Sequence, residues 1–388
     1  MIPALKVLPK GVGRLRAGHP WVYRTDLADT SGLEAGLVRL VDERGKGLGT
    51  ALFSPHSEIR VRRLAEEGVT VDGAWWRKAI AAAVERRAGT RDTGWRAVHA
   101  EGDGLPSLVV DRYGDVAVAQ ILSAGLEAVT GAVVDAIKHA LAPKGLLLRN
   151  DAPVRERERL PRETVPAFGE VPQRAPYSEG KLRLNALPWT GQKTGAYLDQ
   201  RENHQLVGRL GRGRCLDAFA YHGGFALQLL AHGASEVVAI DSSEDALAAM
   251  GETATENSLE GLLLPVEANA FDWLHERAAA GAERFDVVVL DPPAFAKDKR
   301  SLPRALAGYK ELNIRAMRLL VPGGHLFTAS CSFHVHRGDF FAMLAEAAAD
   351  SGRHMQLLEI RGAAADHPEL MTVPETGYLK AALLRAID

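Results

Sequence analysis

From about residue 213 to its end, the chain alternates between segments typical of strands and segments typical of helices. The alternation begins with a strand-like run at residues 214–218, a helical run at 225–231 and a second strand-like run at 236–240. Strands joined by helices run parallel in one sheet, and the helices then cover both of its faces. Because the loops of such a sheet gather at the carboxyl ends of its strands, ligands bind there. The alternation therefore predicts a doubly wound α/β domain with its chemistry at one sheet edge.

The rest of the chain must form additional domains, because 388 residues exceed what one ordinary core encloses. The net charge of −2 carries no general basic signature, so any surface for nucleic acid must be a local patch. The two cysteines are too few for a disulfide framework or a zinc cluster, and adjacent Asp366 and His367 without further ligands make a poor metal site. No run of about 18 apolar residues occurs, and the first residues lack the apolar run of a signal peptide. We therefore expect a cytoplasmic protein with no bound metal and no membrane partner.

Residues 1–70 are predicted to form a small β domain that contacts RNA. Strand-like runs occur at 37–41, 48–53 and 59–64, among glycine-rich turns. The segment holds eleven Lys or Arg against eight Asp or Glu, a net charge of +3 that is opposite in sign to that of the chain. Basic and aromatic side chains together suit phosphate contact and base stacking. The alternative is a solvated face around a structural tryptophan. The candidate RNA contacts are Arg14, Arg16, His19, Trp21, Arg60 and Arg62.

Residues 71–180 are predicted to form a central α+β module and a linker. Asp72 is placed to cap a helix, because Trp76 and Ile80 recur after it at helical spacing. Further strand-like and helical runs occur at 108–110, 116–122, 125–141 and 145–149. The alternating Arg and Glu of residues 155–159 precede several prolines and indicate a solvated connection. The third domain then covers residues 181–388.

The turn after the first strand of the predicted sheet is rich in glycine. Phe219, Gly223 and Gly224 lie in it, and glycines here let the backbone approach a ligand closely before a helix begins. A pair of glycines is a weak signal by itself. Asp241 at the end of the second strand makes it more specific, because an acidic residue there can accept hydrogen bonds from two ribose hydroxyls. The combination predicts a nucleoside cofactor.

The glycine spacing matches neither the dinucleotide motif nor the phosphate loop of nucleotide hydrolases, so a pyrophosphate is not expected. Asp217, which precedes the glycines, instead suits the positively charged amino acid end of S-adenosylmethionine. Asn269 lies where a third strand would offer its amide to the adenine edge. Each of these residues alone could be a turn or cap residue. Their order and spacing together with Asp241 predict S-adenosylmethionine as the cofactor.

Two further strand ends carry polar residues that can react. The run 287–290 leads to Asp291 and two prolines that make the turn rigid, and the run 326–330 leads to Cys331. Neighbouring strand ends share one rim of the sheet, so an aspartate and a cysteine can form one site. Cys215, in contrast, lies within an apolar strand and is expected in the core.

Short motifs with specific sequences are spread along the chain. They are residues 18–23 (GHPWVY), 191–201 (GQKTGAYLDQR), 291–295 (DPPAF), 330–332 (SCS), 365–368 (ADHP) and 378–380 (YLK). With these motifs the whole chain resembles the bacterial large-subunit ribosomal RNA cytosine-5 methyltransferases that carry an N-terminal PUA domain. The resemblance implies a PUA domain, a central module, and a Rossmann-like class I methyltransferase domain that converts S-adenosylmethionine to S-adenosylhomocysteine. It also implies 23S ribosomal RNA as substrate, with the methionine end of the cofactor beside Lys193, Tyr197, Gln200 and Arg201.

The chemistry that the resemblance implies explains the choice of Asp291 and Cys331. Carbon 5 of cytosine is too weak a nucleophile to attack a sulfonium methyl group, so a thiolate first adds at carbon 6. Cys331 is the candidate thiolate, and a protonated Asp291 in a desolvated pocket could relieve the charge that builds on N3. The wider class of RNA cytosine-5 methyltransferases has a second cysteine where this chain has Ala294, and the subfamily that it resembles lacks it too. No residue is assigned to removal of the proton from carbon 5.

Two other functions remain open at the level of sequence. An enzyme that methylates another base or an exocyclic nitrogen also uses an Asp-Pro-Pro segment followed by an aromatic residue, but it has no use for Cys331. A catalytically silent RNA-binding assembly factor could keep the same fold, although the intact set of Asp217, Asp241, Asp291 and Cys331 argues against decay. The sequence leaves open which nucleotide is modified and whether the chain forms a homodimer.

Overall fold

The computed structural model describes residues 2–281, 284–296, 298 and 300–388. The chain divides into two compact units, and each is built from several stretches of sequence. Unit one comprises Met1–Tyr177, Asn185–Leu198 and Ala365–Thr376, and unit two comprises Ser178–Leu184, Asp199–Ala364 and Gly377–Asp388.

Unit one begins with a five-stranded sheet in the order β1-β3-β4-β5-β2. Its elements are β1 (Ala4–Lys6), α1 (Pro9–Arg16), β2 (Trp21–Val22), β3 (Gly36–Val41), β4 (Gly47–Phe53) and β5 (Val61–Ala65). Only β1 and β3 pair in parallel among the strand pairs of this sheet. Val38, Leu40 and Phe53 are fully buried in its core, because alternate residues of the strands face inward. The predicted small β domain is confirmed.

A second five-stranded sheet of unit one has the order β10-β9-β8-β7-β6. Its elements are α2 (Gly73–Glu85), β6 (Gly94–His99), β7 (Leu108–Tyr113), β8 (Val116–Ile121), α3 (Ala124–Glu127), α4 (Thr130–Leu141), β9 (Gly145–Asn150), α5 (Val154–Arg157) and β10 (Glu163–Gly169). Asp72 caps α2 as predicted, since its side chain accepts a hydrogen bond from the Trp75 amide. Buried residues of α2 and α4 pack with the sheet in one core. The predicted α+β module is confirmed.

The prediction of a solvated connection at residues 155–159 was wrong for Arg155 and Glu158, whereas the other three residues of the run are exposed. The Arg155 side chain is fully buried and donates hydrogen bonds to the Ile121 carbonyl at 2.5 Å and to Glu127 Oε2 at 2.8 Å. Glu158 is 2% exposed, and its carboxylate accepts from the Ala124 amide at 3.1 Å. Ion pairs and backbone hydrogen bonds offset the cost of burying these charged side chains, and only Nη2 of Arg155 lacks a hydrogen-bond partner among the described atoms of these two side chains.

A hairpin of β11 (Ala175–Glu179) and β12 (Leu182–Ala186) contains residues of both units. The other elements belong to unit two, and they are α6 (Arg201–Gly208), β13 (Arg214–Ala218), α7 (Gly224–Ala231), β14 (Glu236–Asp241), α8 (Glu244–Glu256), β15 (Leu263–Glu267), α9 (Ala270–Ala280), β16 (Phe285–Leu290), α10 (Leu302–Arg318), β17 (Leu320–Ser330), α11 (Arg337–Ser351), β18 (Met355–Arg361) and β19 (Lys380–Ala386). Among the described residues, no helix is long and apolar enough to cross a membrane.

The seven-stranded sheet of unit two has the order β15-β14-β13-β16-β17-β19-β18. The first five strands are parallel, as the alternation predicts, and β19 and β18 extend the sheet in antiparallel pairs. The strand order reverses between β13 and β16, which is where doubly wound sheets bind their ligands. Ala218 pairs with Leu290, and Leu290 pairs with Thr328, so the ends of β13, β16 and β17 lie side by side. This register brings the loops after three strands to one rim.

Candidate active site

Residues 219–224, which we call the glycine loop, connect β13 to α7 in unit two. Phe219, Tyr221 and Gly223 have φ angles of 68°, 49° and 79°. Left-handed backbone in residues other than glycine costs roughly 1–3 kcal/mol each and persists only where the surroundings impose it. Asp241 imposes it in part, because its Oδ2 accepts a hydrogen bond from the Tyr221 amide at 2.8 Å. The glycine loop is therefore a strained turn anchored to the end of the next strand.

The carboxyl group of Asp217 lies beneath the glycine loop and is 1% exposed. Its Oδ2 accepts a hydrogen bond from the Ala226 amide at 2.9 Å, whereas its buried Oδ1 has no hydrogen-bond partner among the described residues. Burial raises the pKa of Asp217 to about 7; Asp291 and Asp241 add to the rise, while the Ala226 amide and His204 oppose it. An unsatisfied buried acceptor is costly, and a donor from a ligand would remove that cost.

Gln200 supplies the complementary group in unit two. Its side chain is 3% exposed, and its Oε1 accepts a hydrogen bond from Asn203 Nδ2 at 2.7 Å. That bond fixes the orientation of the amide, and the buried Nε2 has no hydrogen-bond partner within the described part of the chain. An unsatisfied acceptor on Asp217 and an unsatisfied donor on Gln200 match the ammonium and carboxylate groups of an amino acid. The residues present therefore fit the methionine end of S-adenosylmethionine.

Asp241 is the last residue of β14 and Asn269 lies after β15, and both also have structural roles. Asp241 is half-buried; besides the bond from Tyr221, its Oδ1 accepts from the Ser243 amide at 3.0 Å. Asn269 caps α9, because its Oδ1 accepts from the amides of Phe271 and Asp272. The cap does not use the Asn269 Nδ2 group, and each carboxylate oxygen of Asp241 can accept a second hydrogen bond. A role in turn or cap geometry is thus compatible with ligand binding at both positions.

Cys331 and Asp291 follow the adjacent strands β17 and β16, and both are half-buried. The Cys331 Sγ lies 4.0 Å from the carbonyl oxygen of Pro292, which directly follows Asp291. The structure therefore brings the thiol to the Asp-Pro-Pro segment. Cys215 lies in β13 and is fully buried, and burial raises the pKa of its thiol to about 11.

Hydrogen bonds to Ser332 hold the backbone next to Cys331. The buried Ser332 hydroxyl accepts from the Ala296 amide at 3.2 Å and lies 2.9 Å from the Tyr309 hydroxyl. Its carbonyl oxygen accepts from Lys380 Nζ at 2.7 Å. These bonds tie the end of β17 to the segment after Asp291, so the cysteine has a fixed position.

His204 in α6 is a candidate site residue that the sequence did not reveal. Its ring is 8% exposed, and its Nδ1 lies 2.9 Å from Oε1 of the buried Glu179. Burial lowers the pKa of His204, but the charges of Glu179, Asp291 and Asp217 outweigh it, and the net shift is upward. The sequence offers no spacing that marks this histidine, because its carboxyl neighbours come from three separate segments.

The motif of residues 191–201 is divided between the two units. Lys193 and Tyr197 belong to unit one, where the Lys193 ammonium lies 4.6 Å from the centre of the Tyr197 ring. Thr194 between them is buried and lies 2.9 Å from the Tyr113 hydroxyl. Gln200 and the buried Arg201 belong to unit two. A shared role of the four residues at the cofactor stays a prediction.

Arg62 is predicted to contact RNA, and its position in the structure contradicts this. Its side chain is almost fully buried, and it forms an ion pair of 3.3 Å with buried Glu158 inside unit one. A guanidinium in this position stabilises the fold and cannot reach a phosphate without breaking a buried pair. Arg14 is also engaged internally, with Asp26 Oδ2 at 2.6 Å and the Tyr23 ring at 4.6 Å.

The other predicted RNA contacts differ in how accessible they are. Arg16 at the end of α1 is exposed, and Arg60 is half-buried. Trp21 donates its indole N–H to Glu101 at 2.9 Å, and the His19 ring lies 3.4 Å from the Glu375 carboxylate. The indole nitrogen of Trp21 thus has a structural role, as the alternative of a structural tryptophan expects.

Asp366 and His367 are buried in unit one. His367 Nδ1 lies 2.7 Å from Asp366 Oδ1, and Asp366 Oδ2 accepts from the Arg96 amide at 3.0 Å. Across the described ranges, no group of three His, Cys, Asp or Glu side chains could hold a metal ion. Both residues therefore fix the loop that contains them.

Comparisons with known proteins agree with this architecture. A family model described as a PUA-like domain matches residues 5–66, and one described as S-adenosylmethionine-dependent methyltransferase matches residues 170–385. The ribosomal RNA large subunit methyltransferase I of Photobacterium profundum is 39% identical over 94% of this chain and 95% of its own. The protein of the same name from Aeromonas hydrophila is 37% identical over 95% of each chain.

Solved structures show the same fold at low sequence identity. A candidate S-adenosylmethionine-dependent methyltransferase from Streptococcus mutans is 18% identical, with a TM-score of 0.82 over 99% of this chain and 100% of its own. A candidate methyltransferase solved in complex with SAH has a TM-score of 0.84 at 19% identity, with the same coverage. The predicted fold class, a PUA-like β domain and a central module before a Rossmann-like methyltransferase domain, is confirmed.

Proposed function

This chain belongs to the S-adenosylmethionine-dependent methyltransferases, in the group of the large-subunit ribosomal RNA methyltransferases I, and we propose that it forms 5-methylcytosine in 23S ribosomal RNA. S-adenosylmethionine is its methyl donor, and S-adenosylhomocysteine is the product. The observation that supports carbon 5 of cytosine is the position of Cys331, whose Sγ lies 4.0 Å from the Pro292 carbonyl beside Asp291. A thiol at this position has no role in methylation of an exocyclic nitrogen.

The cofactor supplies an electrophilic methyl group, and we propose that the residues around the glycine loop bind it. Asp217 Oδ1 accepts a hydrogen bond from the α-ammonium group, and Gln200 Nε2 donates one to the α-carboxylate. Asp241 accepts from the ribose hydroxyls, and Asn269 donates to the adenine edge. The remaining proposed contacts to the cofactor come from Lys193, Tyr197, Arg201, Phe219, Gly223 and Gly224.

In the proposed reaction, the Cys331 thiolate attacks carbon 6 of a cytosine that has left its base stack. A bond forms between sulfur and carbon 6, and the electron pair of the C5–C6 double bond moves toward N3, where a protonated Asp291 donates a hydrogen bond or a proton. Carbon 5 then becomes nucleophilic enough to take the methyl group, whose bond to the sulfonium sulfur breaks and leaves S-adenosylhomocysteine. Loss of the proton from carbon 5 restores the double bond and breaks the bond between sulfur and carbon 6, which returns the thiolate.

The PUA-like domain and the central module are proposed to hold the RNA while the base enters the site. A single strand whose bases are splayed out can be gripped by cations and aromatic rings, which suits Arg16, Arg60, His19 and Trp21. Arg14 and Arg62 would support this surface through their internal ion pairs. Because ribosomal RNA is modified there, we place the enzyme in the cytoplasm.

The proposal is tested by transfer of labelled methyl from S-adenosylmethionine to ribosomal RNA that lacks this modification, followed by nucleoside analysis. We expect label in 5-methylcytosine for the wild type, and no turnover and no covalent RNA adduct for Cys331→Ala. Cys215→Ala is the matched control, because that thiol is buried in β13 and should leave turnover unchanged. Label in another nucleoside, or unchanged activity of Cys331→Ala, would contradict the assignment.

A further inference from the structure

His204 lies in a buried polar cluster directly behind the glycine loop. Its Nδ1 is 2.9 Å from Glu179 Oε1, and the Glu179 side chain is 1% exposed. Gln228 of α7 fixes the same glutamate, because its Nε2 donates to the Glu179 carbonyl at 2.9 Å and lies 3.4 Å from Oε1. The histidine and its carboxylate partner are thus held from two sides.

The His204 ring also packs against the first turn of α7. A Cβ atom added to Gly224 would lie 2.4 Å from His204 Cε1, so only glycine fits here without moving the ring. The edge of the ring meets Phe225 with 4.5 Å between the ring centres. The histidine therefore supports the turn whose next amide, that of Ala226, binds Asp217.

The charges of three carboxyl groups, each from a different segment, act on His204. They are Glu179 on β11, Asp217 on β13 and Asp291 after β16. A protonated imidazole offsets part of this negative charge, and buried carboxylates of like charge otherwise disfavour ionisation of one another. Asp217 depends on that offset, because Asp291 and Asp241 both oppose its ionisation.

We propose that His204 is a positioning residue whose imidazolium, held by Glu179, keeps Asp217 ionised for the ammonium group of the cofactor and fixes the first turn of α7. The inference rests on the proposed contact between Asp217 and that ammonium group. It assigns no contact between His204 and the cofactor itself. Glu179 acts one step further away, through the hydrogen bond that keeps His204 charged.

The proposal has a defined pH dependence. Ionised Asp217 attracts an ammonium group, so affinity for the cofactor product falls as the pH falls through about 7, the pKa of Asp217. Removal of the positive charge of His204 raises the pKa of Asp217 further. The loss of affinity then begins at a higher pH, whereas affinity well above that pKa is nearly unchanged.

The test measures binding of S-adenosylhomocysteine to the full chain by calorimetry from about pH 6 to about pH 8.5, without RNA. For His204→Gln we expect the midpoint of the pH profile to rise by about one unit, which makes binding about tenfold weaker below neutral pH and changes it less than about twofold at pH ~8.5. His232→Gln is the matched control, because that ring lies 2.9 Å from the Gln228 carbonyl and does not contact the carboxyl groups of the cluster among the described residues; this change should leave the profile unchanged. An unshifted midpoint, or the same loss at every pH, overturns the proposal.

Two further measurements keep the test valid if His204→Gln does not fold. In the wild type, the His204 imidazole resonance should titrate above the ordinary histidine value and should move down in Glu179→Gln; a midpoint below that value overturns the proposal. Asp217→Asn should weaken S-adenosylhomocysteine binding and flatten its pH profile. Unchanged binding by Asp217→Asn would remove the proposed cofactor contact and this inference together, whereas a normal loss with an unshifted His204→Gln midpoint would remove only the inference.

Discussion

The glycine loop shows how single residues can be strained and still be well defined. Phe219 and Tyr221 adopt left-handed backbone conformations, which side chains with a Cβ atom disfavour. The hydrogen bond from the Tyr221 amide to Asp241 and the packing of Phe219 beside Phe271, with 6.3 Å between ring centres, hold them there. These contacts fix the conformation of the loop, and a fixed loop lowers the entropic cost of ligand binding.

Gly223→Ala is expected to weaken binding of S-adenosylhomocysteine. Its φ of 79° disfavours a residue with a Cβ atom by roughly 1–2 kcal/mol, and that Cβ would lie 2.5 Å from Met250. If the loop relaxes to relieve this strain, affinity falls about 5- to 30-fold in calorimetry. Gly251→Ala in α8 is the control, because outside the nearby backbone of its own helix no atom of a described residue lies within 4 Å of the added Cβ. Equal affinities of the two variants would contradict the prediction.

At the scale of elements, α5 carries a buried charge in a segment whose sequence predicts exposure to solvent. Of the five residues 155–159, Arg155 and Glu158 point inward, and Arg157 is exposed. The periodicity of charge cannot reveal this, because each buried group depends on partners that are distant in sequence, such as Glu127 and the Ile121 carbonyl. Removal of Arg155 would delete its ion pair with the partly exposed Glu127 and its hydrogen bond to the buried Ile121 carbonyl.

Arg155→Met is expected to lower the midpoint of thermal unfolding by about 10 °C. The substitution removes the hydrogen bonds of a buried guanidinium to the Ile121 carbonyl and to the partly exposed Glu127. Hydrogen bonds of charged groups are worth roughly 1.5–3 kcal/mol each, and each kcal/mol shifts the midpoint of a domain of this size by about 2–4 °C. Differential scanning fluorimetry measures the shift. Arg157→Met changes an exposed residue of the same helix and should shift the midpoint by less than about 2 °C. A shift of Arg155→Met no larger than that of this control would show that the pair does not stabilise the fold.

Local signals in the sequence predicted most elements, and they failed where distant segments decide the structure. The apolar run 287–290 lies in strand β16, as continuous apolar runs of buried parallel strands do, and Ser243 caps α8 because its side chain accepts a hydrogen bond from the Ala246 amide. The rim that brings Cys331 to the Asp291 segment follows from the order of parallel strands. The antiparallel pairing of β18 with β19 has no local signature in the sequence, and neither has the cluster around His204. Both depend on how segments that are distant in sequence pack together.

At the scale of the whole molecule, the charge is nearly balanced, so we expect RNA binding to depend on a local group of accessible cations. The net charge is −2, and residues 1–70 carry +3. Within that segment, internal ion pairs occupy Arg14 and Arg62, whereas Arg16 is exposed. A small number of phosphate contacts gives a shallow dependence of affinity on salt.

Arg16→Gln is expected to reduce the slope of log affinity against log salt concentration by about 1, the effect of one lost phosphate contact. The slope is measured by binding of the full chain to 23S ribosomal RNA over a salt series. Arg77→Gln is the matched control: this arginine of α2 is exposed and pairs with Asp135. A slope that Arg16→Gln leaves equal to that of the wild type would exclude a phosphate contact at Arg16.

The order of segments along the chain limits which parts of this protein can be exchanged by recombination of its coding sequence. The chain passes from one unit to the other after Tyr177, Leu184, Leu198, Ala364 and Thr376, so each unit collects stretches from both sides of the other. A gene fusion that joins two coding sequences at one point would deliver an incomplete version of both units. Exchange of either unit for a foreign counterpart would therefore need several coordinated breakpoints in the coding sequence.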